Sequence, residues 1–296
     1  MKKSIPLAVI LIVCLFLTRC STNDTTPITP TNNLSGYIYF ENASDKIARI
    51  RLSDETVEDL FSNARTPDVD KNGRILCIKA ANPSQVMFTD KTGANETPLI
   101  VMDGSGKFEY KENFYHPRLS YDLAYVSYEG VRDYSAVYVV DAADGSLKAT
   151  IGDDRTGGPR DEPYISPSWA PDGSLYVAGK SSLNNGIYKF SPPSFNTPER
   201  IDPNLSNISE PSVSPDGKSI VFIKDSKVFT MGIDGSNPQQ LNTGTRDFYL
   251  PVWSPDSKYI AAVSLGHIYV FDIIASTVTE INKTYYVNTN SQLCWK

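Results

Sequence analysis

Apolar residues along this chain fall in short runs, many alternating with polar ones, and no segment carries a helical period. Ile47-Ala48-Arg49-Ile50-Arg51-Leu52 alternates in the manner of a half-buried strand, and Ile220-Val221-Phe222-Ile223 is a continuous apolar strand run. What separates the runs repeats. Glu210-Pro211-Ser212-Val213-Ser214-Pro215-Asp216-Gly217 stands just ahead of Ile220 and reads as a strand entering a tight turn. Proline presets φ, aspartate bonds the local backbone and glycine tolerates left-handed φ, so Ser-Pro-Asp-Gly suits a type I turn. The frame returns at Pro167-Ser168-Trp169-Ala170-Pro171-Asp172-Gly173 and Pro251-Val252-Trp253-Ser254-Pro255-Asp256. Looser copies begin at Pro117 and Pro67. The leading prolines, at 67, 117, 167, 211 and 251, are 50, 50, 44 and 40 residues apart, a spacing typical of propeller blades and other stacked repeats. Trp169 and Trp253 fall two residues after the proline, and Trp295 joins them when Leu293-Cys294-Trp295-Lys296 is aligned as a sixth copy.

Each complete unit supplies four strands. The second runs from Pro67 through residues 75–78, 86–89 and 97–100, and later units repeat that order. The first has only three, at residues 36–40, 47–52 and 57–61, and lacks its innermost strand. A four-stranded sheet of this kind cannot bury both faces alone, and a closed ring is the stack that leaves no terminal face exposed. The orphan copy at residues 293–296 is therefore expected to complete the first unit. The fold class expected is all-β, a six-bladed β-propeller over residues 34–296 whose ring is closed by the C-terminal strand.

Composition narrows the partners. The chain has 296 residues, 40% hydrophobic and 21% charged, as in a globular protein, and the repeat argues for one domain. With 28 basic and 34 acidic side chains and no Lys/Arg cluster interleaved with aromatics, nucleic acid is not an expected partner. The repeat resembles the WD40-like repeat of TolB-type propellers, in which a W-S-P-D-G turn leads into an apolar strand. The resemblance covers roughly residues 34–296. It is strongest at Trp253 and Trp169 and weakest in units two and three, which lack the tryptophan and the turn proline. It implies six blades. TolB itself has an additional N-terminal domain with no counterpart in this sequence, so a role in the Tol system does not follow. Propeller peptidases of related type carry an α/β-hydrolase domain, and no G-x-S-x-G elbow occurs in this sequence.

The N-terminus adds a location. Lys2 and Lys3 precede an apolar run from Ile5 to Thr18, the layout of a signal peptide and shorter than the roughly 20 residues of a spanning helix. Leu17-Thr18-Arg19-Cys20 resembles a bacterial lipobox, with Arg19 departing from the usual small residue; the resemblance implies lipidation at Cys20. Residues 1–20 are read as a signal segment and residues 21–33, rich in Ser, Thr, Asn and Pro, as a flexible tether. The expected protein is an exported monomer, lipid-anchored in a bacterial cell envelope. Cys77 and Cys294 fall in expected strands of neighbouring blades, either as a disulfide or as two buried small hydrophobes.

If the strands run as in the resembled family, loops entering the first strands share one face with loops joining second to third strands, around the channel mouth. The residue pairs there are Arg65-Thr66, Tyr115-His116, Ile165-Ser166, Ser209-Glu210, Tyr249-Leu250 and Ser291-Gln292. From these, Arg65, Tyr115, His116, Glu210, Tyr249 and Gln292 are the candidate contacts for a polar ligand such as a glycan or a peptide terminus. His116 and His267, the two histidines, belong to units on opposite sides of a six-fold ring, so neither a metal site nor a Ser-His-Asp arrangement is expected, and no cofactor is assigned. Two long insertions, residues 101–115 and 152–165, are expected over the same face; Asp153, Asp154, Asp161 and Glu162 match no known calcium loop. The function expected is non-enzymatic binding of an envelope protein or glycan. The alternative is a polysaccharide-active lyase or hydrolase with its site at the channel mouth.

Overall fold

The Ser-Pro-Asp-Gly turns form as their residue types require. At Ser214 the carbonyl accepts the Gly217 amide at 2.8 Å, the hydroxyl donates to Asp216 Oδ1 at 2.6 Å, and the Ser219 amide donates back to the Ser214 hydroxyl at 2.9 Å. Ser120 with Asp122 and Ser254 with Asp256 repeat the arrangement. Unit two replaces the serine by Asp70, whose Oδ1 accepts the amides of Asn72 and Arg74. Each turn joins the first and second strands of a unit. The structure is a computed structural model and describes residues 34–79, 84–101, 113–131, 135–152, 164–180, 185–202, 205–241, 244–281 and 283–296. The segments expected as signal and tether, with Cys20, and most of both insertions lie outside the described residues, as do Asp153, Asp154, Asp161 and Glu162.

Six four-stranded antiparallel sheets make up residues 34–296, and five of them are consecutive in sequence. The sixth is composite. Its inner strand is Cys294–Trp295, paired to Tyr37–Glu41 with Ile38 opposite Trp295 and Tyr39 opposite Cys294. Tyr37 and Lys296 extend the pairing by exchanging amide and carbonyl at 2.6 and 2.9 Å. The expected ring closure is therefore present, and the sheets are the blades of a six-bladed propeller.

Alternation within the strands gives each blade two apolar faces, and the buried side chains gather into one cluster per junction between neighbours. Leu76, Ile78 and Val86 of blade two meet Phe114, Val126 and Tyr128 of blade three; Val221 and Ile223 of blade five meet Trp253 and Tyr269 of blade six. The last junction joins Ile38, Phe40 and Trp295 of blade one to Ala261, Val263 and Val270 of blade six. Each fully buried aliphatic or aromatic side chain contributes about 1.5–3 kcal/mol, so every junction is worth several times the net stability that any single turn supplies.

Polar links add direction to these apolar seams. Trp169 Nε1 donates to the Arg118 carbonyl of the preceding blade at 3.1 Å, and Trp253 Nε1 donates to that of Ser212 at 3.0 Å. Trp295 Nε1 donates instead to Ser35 within its own blade, at 3.2 Å, while its ring stacks over Tyr259 of blade six at 6.4 Å. Blades two and three, which lack the tryptophan, link through the backbone. The Val69 amide donates to Cys294 Sγ at 3.3 Å and the Leu119 amide to Asp68 Oδ2 at 2.8 Å. Cys77 and Cys294 share one cluster as free buried thiols, and burial pushes both up to about 12.

Trp295→Ala is expected to lower unfolding free energy by about 3–5 kcal/mol, the range for a large aromatic removed from a core. Urea unfolding of the two proteins checks this; coincident curves would mean that residues 293–296 take no part in holding the ring.

Candidate ligand-binding site

All five consecutive blades carry the same irregularity in the inner strand. In blade two Arg65 pairs with Ile78 and the next pair is Asp68 with Leu76, leaving one extra residue on the inner strand; blades three to six skip in the same way at 115/118, 165/168, 209/212 and 249/252. This is a β-bulge, placed each time at the X-Pro step. Proline has no N–H to contribute to the ladder, so the bulge sacrifices no donor there. The residue before it is steered away from right-handed helical φ/ψ. Thr66, His116, Ser166, Glu210 and Leu250 all adopt φ of 47–55°, an uncommon region for non-glycine residues. Of these, His116, Ser166, Glu210 and Leu250 line the mouth, and Thr66 does not.

The mouth on the side where the inner strands begin is a cavity of about 1150 Å³. Arg65, Tyr115, His116, Glu210 and Tyr249 all line it, so five of the six expected contact residues are brought together. Below them the channel narrows to a neck of about 30 Å³, bounded by His116, Arg118, Ser166, Glu210, Leu250 and Gln292 among others. Gln292 differs from the other five. It is buried in the neck, with Nε2 donating to the carbonyls of Thr66 (3.2 Å), Pro67 (3.0 Å) and Pro117 (3.0 Å). Its amide nitrogen ties blade one to blades two and three and is not available at the mouth.

Besides Asp45, two further carboxylates that sequence reasoning missed, Glu41 and Glu129, stand in the cavity wall. Both occupy the second-strand position that holds Ile78, Ala178, Ile223 and Val263 in the other blades, a correspondence set by the strand pairing. The available signal was a glutamate closing an otherwise apolar run, in Ile38-Tyr39-Phe40-Glu41 and in Val126-Ser127-Tyr128-Glu129. Each of three glutamates accepts the amide of a left-handed pre-proline residue in the next blade. Glu41 accepts from Thr66 at 3.3 Å, Glu129 from Ser166, and Glu210 from Leu250. The carboxylates thus hold the bulges in the conformation that φ alone disfavours.

The same groups set the electrostatics. Burial holds Glu210 above the ordinary carboxylate range, although the Leu250 amide and nearby His116 act against the shift. Burial does the same for Glu41, against hydrogen bonds from Asn288 and the Thr66 amide. For His116, burial opposes the charged form, but the charge and hydrogen bond of Glu129, 2.8 Å from Nδ1, outweigh it and raise the pKa. Arg65 lays its guanidinium 5.6 Å from the Tyr115 ring centroid, and its Nε has no acceptor. Tyr249 stands 38% exposed on the rim.

Chemically the described residues of the mouth offer carboxylates, an imidazole, a guanidinium, an ammonium and phenols. Among the described residues, no serine hydroxyl or thiol hydrogen-bonds His116, and no group of three His, Cys, Asp or Glu could hold a metal ion. His267 packs against Tyr286 at 4.8 Å and does not line the mouth.

The His116–Glu129 pair fixes the sign of a pH dependence. His116 titrates higher in the folded chain than in the unfolded one, so its contribution to stability is complete below the unfolded pKa of about 6.5 and is lost as pH rises through the folded value. His116→Asn is accordingly expected to cost more stability at about pH 6 than at about pH 8.5 in paired urea titrations. An equal cost at both values would rule out a stabilising charged pair.

No family model matches the chain. An 83-residue stretch is 36% identical to dipeptidyl-peptidase 5 of Porphyromonas gingivalis, covering 23% of this chain and only 12% of that protein's length. Among solved structures, TolB of Acinetobacter baumannii superposes over 88% of this chain and 66% of its own, with a TM-score of 0.64 and 14% identity. An oligogalacturonate lyase in complex with manganese superposes over 83% of this chain and 73% of its own, with a TM-score of 0.53 and 14% identity. Identities this low speak to architecture alone. With six four-stranded sheets in a ring and a TolB propeller superposing on nearly all of them, the chain is a TolB-like six-bladed β-propeller.

Proposed function

We propose that this protein is a lipid-anchored module of a bacterial cell envelope, held through Cys20, whose propeller binds a protein or a glycan at the strand-start mouth. One observation carries the binding reading: five polar or aromatic side chains from four different blades converge on a single cavity of about 1150 Å³ whose floor is closed down at Gln292. Ligand sites are concave and combine a few convergent polar groups with aromatic surface. Tyr115 and Tyr249 supply that surface, and His116, Glu210 and Arg65 supply the polar groups. The envelope location rests on the residues of the signal segment and lipobox.

An enzymatic reading, with a polysaccharide as substrate, draws on one specific feature. His116 is paired to a carboxylate and has Glu210, a second carboxylate with a raised pKa, beside it in the neck. Both groups are shifted upward, Glu210 by burial and His116 by Glu129 against burial, and perturbed titratable groups are common where acid–base chemistry occurs. Against this, Glu129 and Glu210 each hold a backbone amide of the next blade, which accounts for their burial without any reaction.

A glycan and peptide array probed with the full chain separates the readings. Retention of an array member, weakened in Glu210→Ala and His116→Ala proteins that still melt cooperatively, is the expected result. Turnover of a member, abolished in both variants, would replace the binding module by an enzyme. For the anchor, Cys20→Ala is expected to move the protein from the membrane pellet to the soluble fraction, and an unchanged partition would remove the lipid attachment.

A further inference from the structure

Several polar atoms at the mouth have hydrogen-bonding capacity that the fold leaves unused, acceptors at Gln292 and Glu210 and a donor at Arg65. Gln292 is 1% exposed, and three carbonyls 3.0–3.2 Å from Nε2 fix the orientation of its amide, because an oxygen has no attraction to three carbonyl oxygens. Its Oε1 is thereby left buried with no donor. Glu210 bounds the same neck and the cavity above it; Oε2 accepts the Leu250 amide, and an ionised carboxylate accepts about four hydrogen bonds in all. His116 is already engaged by Glu129. Blade two faces blade five across the ring, and there Arg65 Nε is a buried donor with no acceptor.

These unmet atoms describe a ligand. It brings more than one N–H donor on a single small group to Glu210 and Gln292, and it brings an acceptor to Arg65. A hydroxyl has one proton to donate and leaves one of the two acceptors unmet, whereas a primary ammonium has three. A neck of about 30 Å³ has room for one or two water-sized groups. The neck itself sets Glu210 against Arg118 and His116, while the cavity above, lined by Glu41, Asp45, Glu129 and Glu210 against Arg65, Lys180 and His116, has the acidic balance that draws a cation in. A lysine side chain and an amino sugar also carry a primary ammonium. A peptide amino terminus places a carbonyl one carbon away from it, which answers Arg65 as well.

We propose that the strand-start mouth captures a free peptide amino terminus, with its ammonium in the neck against Glu210 and Gln292 Oε1 and its first carbonyl accepting from Arg65 Nε. This rests on the mouth being a binding site, as argued above, and names the chemistry of what it binds. Capture of terminal amines is an established mode of peptide recognition.

Calorimetry on the full chain tests it with four probes: trialanine amide with a free amine, the same peptide N-acetylated, Nα-acetyl-lysine amide, and glucosamine. The free-amine peptide is expected to bind, with acetylation weakening it by about tenfold or more. The lysine derivative and glucosamine are expected to bind more weakly than the free peptide. Glu210→Gln, which keeps an oxygen for the Leu250 amide, is expected to weaken the peptide by about tenfold, while the glutamine side chain leaves the melting curve in place. Free and acetylated peptides binding alike would overturn the ammonium seat while leaving the mouth a binding site. Tighter binding of glucosamine or of the lysine derivative would overturn the peptide terminus as its source. Failure of all four probes would count against both the seat and the mouth. The acetylation comparison uses the wild-type chain and decides the matter even where Glu210→Gln does not fold.

Discussion

A sheet that is apolar on both faces has to be covered on both, and that requirement organises the protein. Six sheets in a ring meet it with six apolar junctions, each built from side chains of two neighbours. The demand is sharpest where the chain's two ends meet. Blade one receives an inner strand of only two residues, Cys294–Trp295, yet both residues reach into junctions on either side of it. Trp295 belongs to the seam with blade six and Cys294 to the seam with blade two. Removing this strand would open two seams at once, which gives two residues an influence beyond their number.

Closure and site are made by the same strands. An inner strand that ran straight would satisfy its ladder and present alternate side chains to the channel, as any strand does. The bulge at each X-Pro step breaks that alternation, and in four of the five blades the pre-proline residue lines the mouth. Left-handed φ at a non-glycine residue costs about 1–3 kcal/mol and persists only where the surroundings over-determine it. Here three of the five bulged amides are gripped by glutamates from the preceding blade, so the geometry at the mouth is held by inter-blade contacts. Glu210 is thereby tied to blade six, and His116 is held by Glu129, which also grips Ser166 of blade four.

How much of this was legible depends on the sequence distance of the contacts. The turns, the four-strand units and the short sixth copy are local or periodic features, and each emerged from residue type and spacing. Arg65, Tyr115, His116, Glu210 and Tyr249 were found because the repeat itself marks where each inner strand begins. Glu41 and Glu129 escaped notice because the repeat aligns blades by their turns, and the far end of the second strand has no motif to anchor it. Gln292 was expected at the mouth and lies deeper, in the neck, for a different reason. Its three acceptors lie as far as 226 residues away, and nothing near position 292 signals that carbonyls of blades two and three will converge there. The two cysteines fell between these cases: strand and blade were readable, and the geometry that leaves both thiols free was not.

The channel has two ends, and the fold spends their carboxylates differently. At the turn side, a cavity of about 280 Å³ is lined by Asp68 and Asp70. Asp68 accepts the amides of Val69 and Leu119 and the Cys294 thiol, and Asp70 caps its own turn and pairs with Arg74. Those acidic groups are consumed in joining blades and shaping turns. At the strand-start side, Glu210 gives the fold one oxygen and Gln292 gives it only its nitrogen. The repeat therefore builds two openings from the same strands, and among the described residues the carboxylates lining the turn-side one are the more fully used by the fold. That asymmetry comes from which residue types fill the bulge and the second-strand end, positions that a shared propeller architecture leaves unspecified.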